Sequence, residues 1–292
     1  MRDSTNLWIQ GARPKTLPAA IAPVVVGSAC AHLESSMQNN WLNSVFALIV
    51  SLALQVAVNF ANDYSDGIRG TDKDRVGPLR LVGSGAKKPA DVKKATFLAF
   101  GVAAVFGFVL AATTSWWLLL VGVLCFLAGW FYTGGKHPYG YLGFGEAFVF
   151  IFFGVVATMG TTFVINQQLT LVSFLASVVV GCLACALLAV NNLRDIAGDA
   201  TSNKRTLAVR IGESGARKFY ILLFIVAGCA VVSIALLHPA AVIAMLGLAA
   251  AIKPIRCVYS GATGADLINV LVMTGRVQIL VAIALSVGLL FS

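Results

Sequence analysis

Long apolar runs alternate with polar connections along the whole chain, and only two of those connections are long. Runs near 16–33, 41–61, 95–112, 115–133, 145–164, 171–190, 218–237, 239–253 and 267–290 predict nine helices. About 20 apolar residues suffice to cross a bilayer as a helix. The pattern therefore predicts an all-α polytopic membrane protein, with nine transmembrane helices bundled around a central cavity and a single domain over residues 1–292. The long connections, about 62–94 and 191–217, hold most of the charge and mark the functional face.

Composition agrees with this class: the chain is 59% hydrophobic and 11% charged, against about 25% charged in soluble domains. The net charge of +9 raises the question of nucleic acid, and the distribution of charge answers it. With the N-terminus in the cytoplasm, 20 of the 21 Lys and Arg fall in cytoplasmic segments, Arg276 in the last helix being the exception. That is the positive-inside pattern, and no basic soluble domain remains to bind nucleic acid. Arg13 and Lys15 precede the first apolar run without a cleavage site, so that run reads as a retained span. The six Cys lie in or beside apolar runs, and Cys182 and Cys185 read as small packing residues.

Two Asn-led segments end apolar runs with the same Asn-x-x-x-Asp spacing, Asn62/Asp66 and Asn191/Asp195. If the second helix continues through the first segment, Gln55, Asn59, Asn62 and Asp66 form one stripe; Asn191, Asp195 and Asp199 form another on the sixth. Carboxylates at a membrane helix end are costly unless they are paired or functional. Amide and carboxylate oxygens are hard ligands that suit Mg²⁺ shared with substrate phosphates, so two facing stripes could clamp a diphosphate between two cations. The glycine-rich run after Asp66 carries Arg75 and Arg80, and Lys204-Arg205 follows the second stripe; both could contact phosphate. Lys87, Lys88, Lys93 and Lys94 read as membrane-surface anchors. A cation-coupled transporter is the competing class, but transporter acids sit near the bilayer midplane, whereas these lie at helix ends.

These motifs resemble the UbiA superfamily of intramembrane prenyltransferases across nearly the whole chain. The resemblance extends to its naphthoate branch in Arg13-Pro14-Lys15-Thr16-Leu17-Pro18, Arg75-Val76-Gly77-Pro78-Leu79-Arg80, Tyr132-Thr133-Gly134-Gly135-Lys136, the run Pro138 to Glu146, and Lys204-Arg205-Thr206-Leu207-Ala208-Val209. It implies that a polyprenyl group passes from its diphosphate to 1,4-dihydroxy-2-naphthoate with loss of carbon dioxide. The setting would be a bacterial cytoplasmic membrane, with the active site facing the cytoplasm. It further implies two Mg²⁺ held by Asn62, Asp66, Asp72, Asn191, Asp195 and Asp199. Arg75, Arg80, Lys136, Lys204 and Arg205 would neutralise the diphosphate, and Asp66, Asp195 and Lys136 would be the central catalytic groups. The general family pattern places its third Asp where Gly70 stands; the naphthoate branch shifts that acid, which selects Asp72. Arg13, Lys15 and Tyr139 are candidates for the acceptor, the first two equally readable as positive-inside anchors. 4-Hydroxybenzoate, homogentisate or a haem are the alternative acceptors. Some of the 18 Phe would line the prenyl channel.

Overall fold

The computed structural model describes residues 4–33, 39–71 and 79–292, and within them every regular element is helical. A short helix α1 (Ser4–Ala12) and a 3₁₀ turn (Pro14–Thr16) lead at a bend of 53° into α2 (Pro18–Leu33). Then follow α3 (Leu42–Arg69), α4 (Pro89–Thr113), α5 (Trp117–Phe131) and α6 (Gly145–Asn166). The remaining helices are α7 (Leu171–Thr201), α8 (Leu207–Leu237, broken at Gly212), α9 (Pro239–Ala249), α10 (Ile252–Tyr259) and α11 (Asp266–Leu290).

Each expected apolar run meets a helix, but the count of spans is coarser than nine. Six helices are long and apolar enough to cross a membrane, and eight are if the bent pairs at α2 and at α9–α10 each count as one. α5 has only 15 residues.

The two long connections are shorter than their polarity suggests, because both polar stripes are helical. α3 runs on to Arg69 and ends where Gly70 adopts a left-handed φ of 72°, its N–H donating to the Asp66 and Gly67 carbonyls. α7 likewise runs to Thr201. The stripe residues Asn62, Asp66, Asn191, Asp195 and Asp199 line an interior cavity, while Ile68, Arg69, Ala197 and Gly198 on the other side of the same turns are exposed. A Thr170/Ser173 capping box fixes the start of α7. α7 is the central helix, with 72% of its apolar window buried, and small residues let its neighbours approach. A Cβ on Gly154, inside a π-helical stretch of α6, would lie 2.6 Å from the Gly181 Cα of α7.

Candidate active site

A cavity of about 930 Å³ opens between α2, α3, α4, α5, α6, α7 and α11. On α3 its lining runs from Ala47 to Asp66, about 28 Å at 1.5 Å per residue. The lining is polar where α3 and α7 end and apolar toward their starts. Gln55, Asn59, Asn62 and Asp66 of α3 face Asn191, Asp195 and Asp199 of α7 across the polar end, so both stripes reach one space. Phe108, Phe126, Phe148, Phe152 and Phe153 line the apolar part; the sequence could not single these rings out of 18.

The polar end is internally bonded. Asp66 accepts from the Tyr141 hydroxyl at Oδ1 (2.7 Å) and from Lys204 Nζ at Oδ2 (3.2 Å). The same Nζ lies 3.9 Å from Asp199, so Lys204 bridges the two stripes. Arg194 donates to both oxygens of Asp195 (2.7 and 2.8 Å) and to Asn191 Oδ1 (2.8 Å). Asn62 accepts from Thr133 Oγ1 at 2.8 Å. Asn59 is tied to the N-terminal turn, donating to the Ala12 carbonyl (2.9 Å) and to Thr16 (3.1 Å).

Tyr141 is the hub of this arrangement. Its ring lies under Lys204 at 4.8 Å and near Arg69 at 5.3 Å, and Arg69 in turn donates to the Thr133 and Gly135 carbonyls. Burial first, then the charge of Asp66 and the bond to it, push the Tyr141 hydroxyl above the ordinary tyrosine range, so it remains a donor. Neither Tyr141 nor Arg194 stood out in the sequence, since neither belongs to a stripe.

The other expected site residues divide three ways. Arg13, Lys15, Arg80, Tyr139 and Lys204 line the cavity. The Tyr139 hydroxyl donates to the Ala128 carbonyl (2.7 Å) and its ring stacks on Phe148 at 4.0 Å, leaving a ring surface rather than a free hydroxyl. Lys136 and Arg205 are exposed and outside the cavity lining. Lys136 follows the turn at Gly135 (φ 76°), and Arg205 contributes its backbone, N–H to the Tyr141 carbonyl at 2.9 Å. Asp72 and Arg75 lie outside the described residues.

Asp63, adjacent to Asn62, does not line the cavity: its two oxygens accept the Leu81 and Val82 amides at 2.8 and 2.9 Å. Among the described residues no three His, Cys, Asp or Glu side chains converge on a point that would hold a metal ion. The oxygen donors nevertheless fit a hard cation that takes its remaining ligands from a phosphate and water.

Residues 20–266 match the model of the UbiA prenyltransferase family. The Mycobacterium tuberculosis protein named 1,4-dihydroxy-2-naphthoate octaprenyltransferase is 45% identical over 285 residues, 97% of each chain. The Escherichia coli protein of the same name is 38% identical over 226 residues, 75% of this chain and 73% of that one. Among solved structures, a UbiA homolog from Aeropyrum pernix superposes with a TM-score of 0.72 at 13% identity, covering 92% of this chain and 97% of the other. A UbiA homolog from Archaeoglobus fulgidus, bound to GPP and Mg²⁺, gives 0.70 at 12% identity over 98% and 99%.

Proposed function

The chain belongs to the UbiA prenyltransferase family, and from that premise we propose that it is an integral membrane enzyme of menaquinone synthesis. It transfers a polyprenyl group from polyprenyl diphosphate to 1,4-dihydroxy-2-naphthoate, releasing carbon dioxide and diphosphate and forming demethylmenaquinone. The observation that carries the reading is the meeting of the α3 and α7 oxygen stripes at the polar end of one long, otherwise apolar cavity.

The apolar part takes the prenyl chain and the polar end takes the diphosphate. Arg80 and Lys204 bind phosphate oxygens, and Arg13, Lys15 and the Tyr139 ring receive the naphthoate with its carboxylate. Asn62, Asp66, Asn191, Asp195 and Asp199, with Asp72, would hold two Mg²⁺, one for each stripe. Bound there, Mg²⁺ would supply positive charge against the negative charge that builds on the departing diphosphate. The allylic C–O bond breaks with its electron pair leaving on the diphosphate. The ring carbon bearing the carboxylate then bonds to the allylic carbon, and loss of carbon dioxide restores aromaticity. Phe and aliphatic walls exclude water, which would otherwise capture the allylic cation, and ring faces stabilise it. We place the nine apolar helical segments as a single domain in a bacterial cytoplasmic membrane, N-terminus and polar end toward the cytoplasm, on the charge asymmetry of the loops.

The test is turnover by purified protein in detergent with polyprenyl diphosphate, Mg²⁺ and either 1,4-dihydroxy-2-naphthoate or 4-hydroxybenzoate. Product from the naphthoate, lost with EDTA and in Asp66→Ala, is the expected outcome. Product from hydroxybenzoate alone would reassign the acceptor. Turnover that survives both EDTA and Asp66→Ala would sink the metal-assisted mechanism.

A further inference from the structure

Every described member of the proposed metal-ligand set is already engaged from within. Arg194 holds both oxygens of Asp195 and the Asn191 carbonyl oxygen, at 2.7–2.8 Å. Lys204 holds one oxygen of Asp66 at 3.2 Å, with Tyr141 on the other, and lies 3.9 Å from Asp199. The Asn62 oxygen accepts from Thr133. Each stripe thus carries a protein cation where a metal would bring its charge.

The described lining shows the same bias. Among the described residues five cationic side chains line the cavity against three carboxylates, Asp66, Asp195 and Asp199. A divalent cation arriving alone meets a net positive wall and carboxylates that are already paired. A diphosphate meets the opposite situation, with an Arg and a Lys side chain able to exchange carboxylate for phosphate oxygens. Such an exchange would release oxygens of Asp66, Asp195 and Asp199 at the moment the diphosphate presents its own. Displacing a charge-assisted pair without a replacement anion would leave Arg194, nearly fully buried, uncompensated.

We propose that Arg194 and Lys204 are internal counter-ions that keep the carboxylates from metal until diphosphate arrives, so that divalent-metal binding is conditional on diphosphate. The proposal rests on the metal-assisted reading above and adds to it an order of events. It gives Arg194 a role in binding the diphosphate and makes Lys204 the group that joins α3 to α7 before substrate enters.

Protein-bound Mn²⁺, measured by equilibrium dialysis in detergent against a protein-free control, tests it with and without inorganic pyrophosphate. Wild-type protein is expected to take up Mn²⁺ at least about tenfold more tightly when pyrophosphate is present. Lys204→Met should bind Mn²⁺ without pyrophosphate at least about tenfold more tightly than wild type, and Lys204→Arg should restore the dependence. A melting curve without metal establishes that each variant is folded; if Lys204→Met is not, Lys204→Gln takes its place with the same expected gain. Equal uptake by wild type with and without pyrophosphate overturns the gate and leaves the metal-assisted mechanism standing. No gain in a folded Lys204→Met also overturns it. No uptake in any arm overturns the gate and the metal-assisted mechanism together.

Discussion

Removing the carboxylate of Asp195 should do two separable things, and a second substitution should undo only one of them. The Arg194 side chain is 2% exposed and that of Asp195 10%, and their two contacts, at 2.7 and 2.8 Å, are bidentate. Breaking a buried ion pair by deleting one partner costs about 3–5 kcal/mol, because the remaining charge is left uncompensated. Asp195→Ala should therefore lower the apparent melting temperature in detergent by roughly 10 °C and abolish turnover. Arg194→Leu combined with Asp195→Leu leaves no stranded charge, so it should recover most of that stability. Turnover should remain absent, since the proposed ligand and phosphate contact are both gone. The assay is a dye-monitored melt beside prenyl transfer for wild type, the single variant and the double variant. If Asp195→Ala melts with wild type, or the double variant melts no higher than the single, the pair is not the buried, mutually dependent unit described here.

Tyr141→Phe removes a hydrogen bond to a carboxylate, worth about 1.5–3 kcal/mol. It should raise the Mg²⁺ concentration for half-maximal turnover about tenfold; no change would remove Tyr141 from the positioning of Asp66. The raised pKa of Tyr141 has a definite sign. Its contribution to stability is complete below the unfolded tyrosine value of about 10 and is lost only as pH rises through the higher folded value. Melts of wild type and Tyr141→Phe should therefore differ equally at pH 7 and pH 9. Asp63→Ala leaves the Leu81 and Val82 amides without their acceptor and should cost about 1.5–3 kcal/mol. Limited proteolysis should show earlier cleavage near residues 79–85, and unchanged cleavage would count against the tether. Gly154→Val sets side-chain atoms against the Gly181 backbone of α7 and should destabilise by about 1–3 kcal/mol, read as a lower melting temperature; an unchanged melt would mean the two helices are not in close contact there.

The α3 stripe was legible because its polar positions recur at helical intervals, and Gly70 is the kind of residue that ends a helix in a left-handed turn. The α7 stripe was legible for the same reason. Asp63 was not, since a residue beside a stripe points elsewhere and only the path of residues 79–85 shows what it holds. Arg194 was hidden by its position: a basic residue near a helix end in a membrane protein reads as an anchor, and burial cannot be read from charge. Lys136 was assigned by family pattern and Arg205 by its place in the basic pair after the second stripe, and their position outside the cavity lining is a property of the turns that carry them. The bend between α9 and α10 (44°) lacks a glycine or proline at Ala250–Ala251, so periodicity alone ran one helix through it.

The shortness of α5 has its own consequence for the surrounding lipid. Fifteen residues span about 22 Å, against a hydrocarbon layer of about 30 Å. Trp116 and Trp117, 61% and 77% exposed at its start, are residues that settle at the headgroup level. In the nine-span arrangement proposed above, where α5 crosses the bilayer, the lipids touching this face would thin locally by several Å, at a cost of fractions of a kcal/mol for each Å. α5 is also a cavity wall, through Leu118, Val121 and Phe126. Acyl-chain length thus becomes a mechanical variable acting on the cavity's shape: turnover in short-chain and long-chain bilayers should differ, and identical rates would show that the wall does not feel the mismatch.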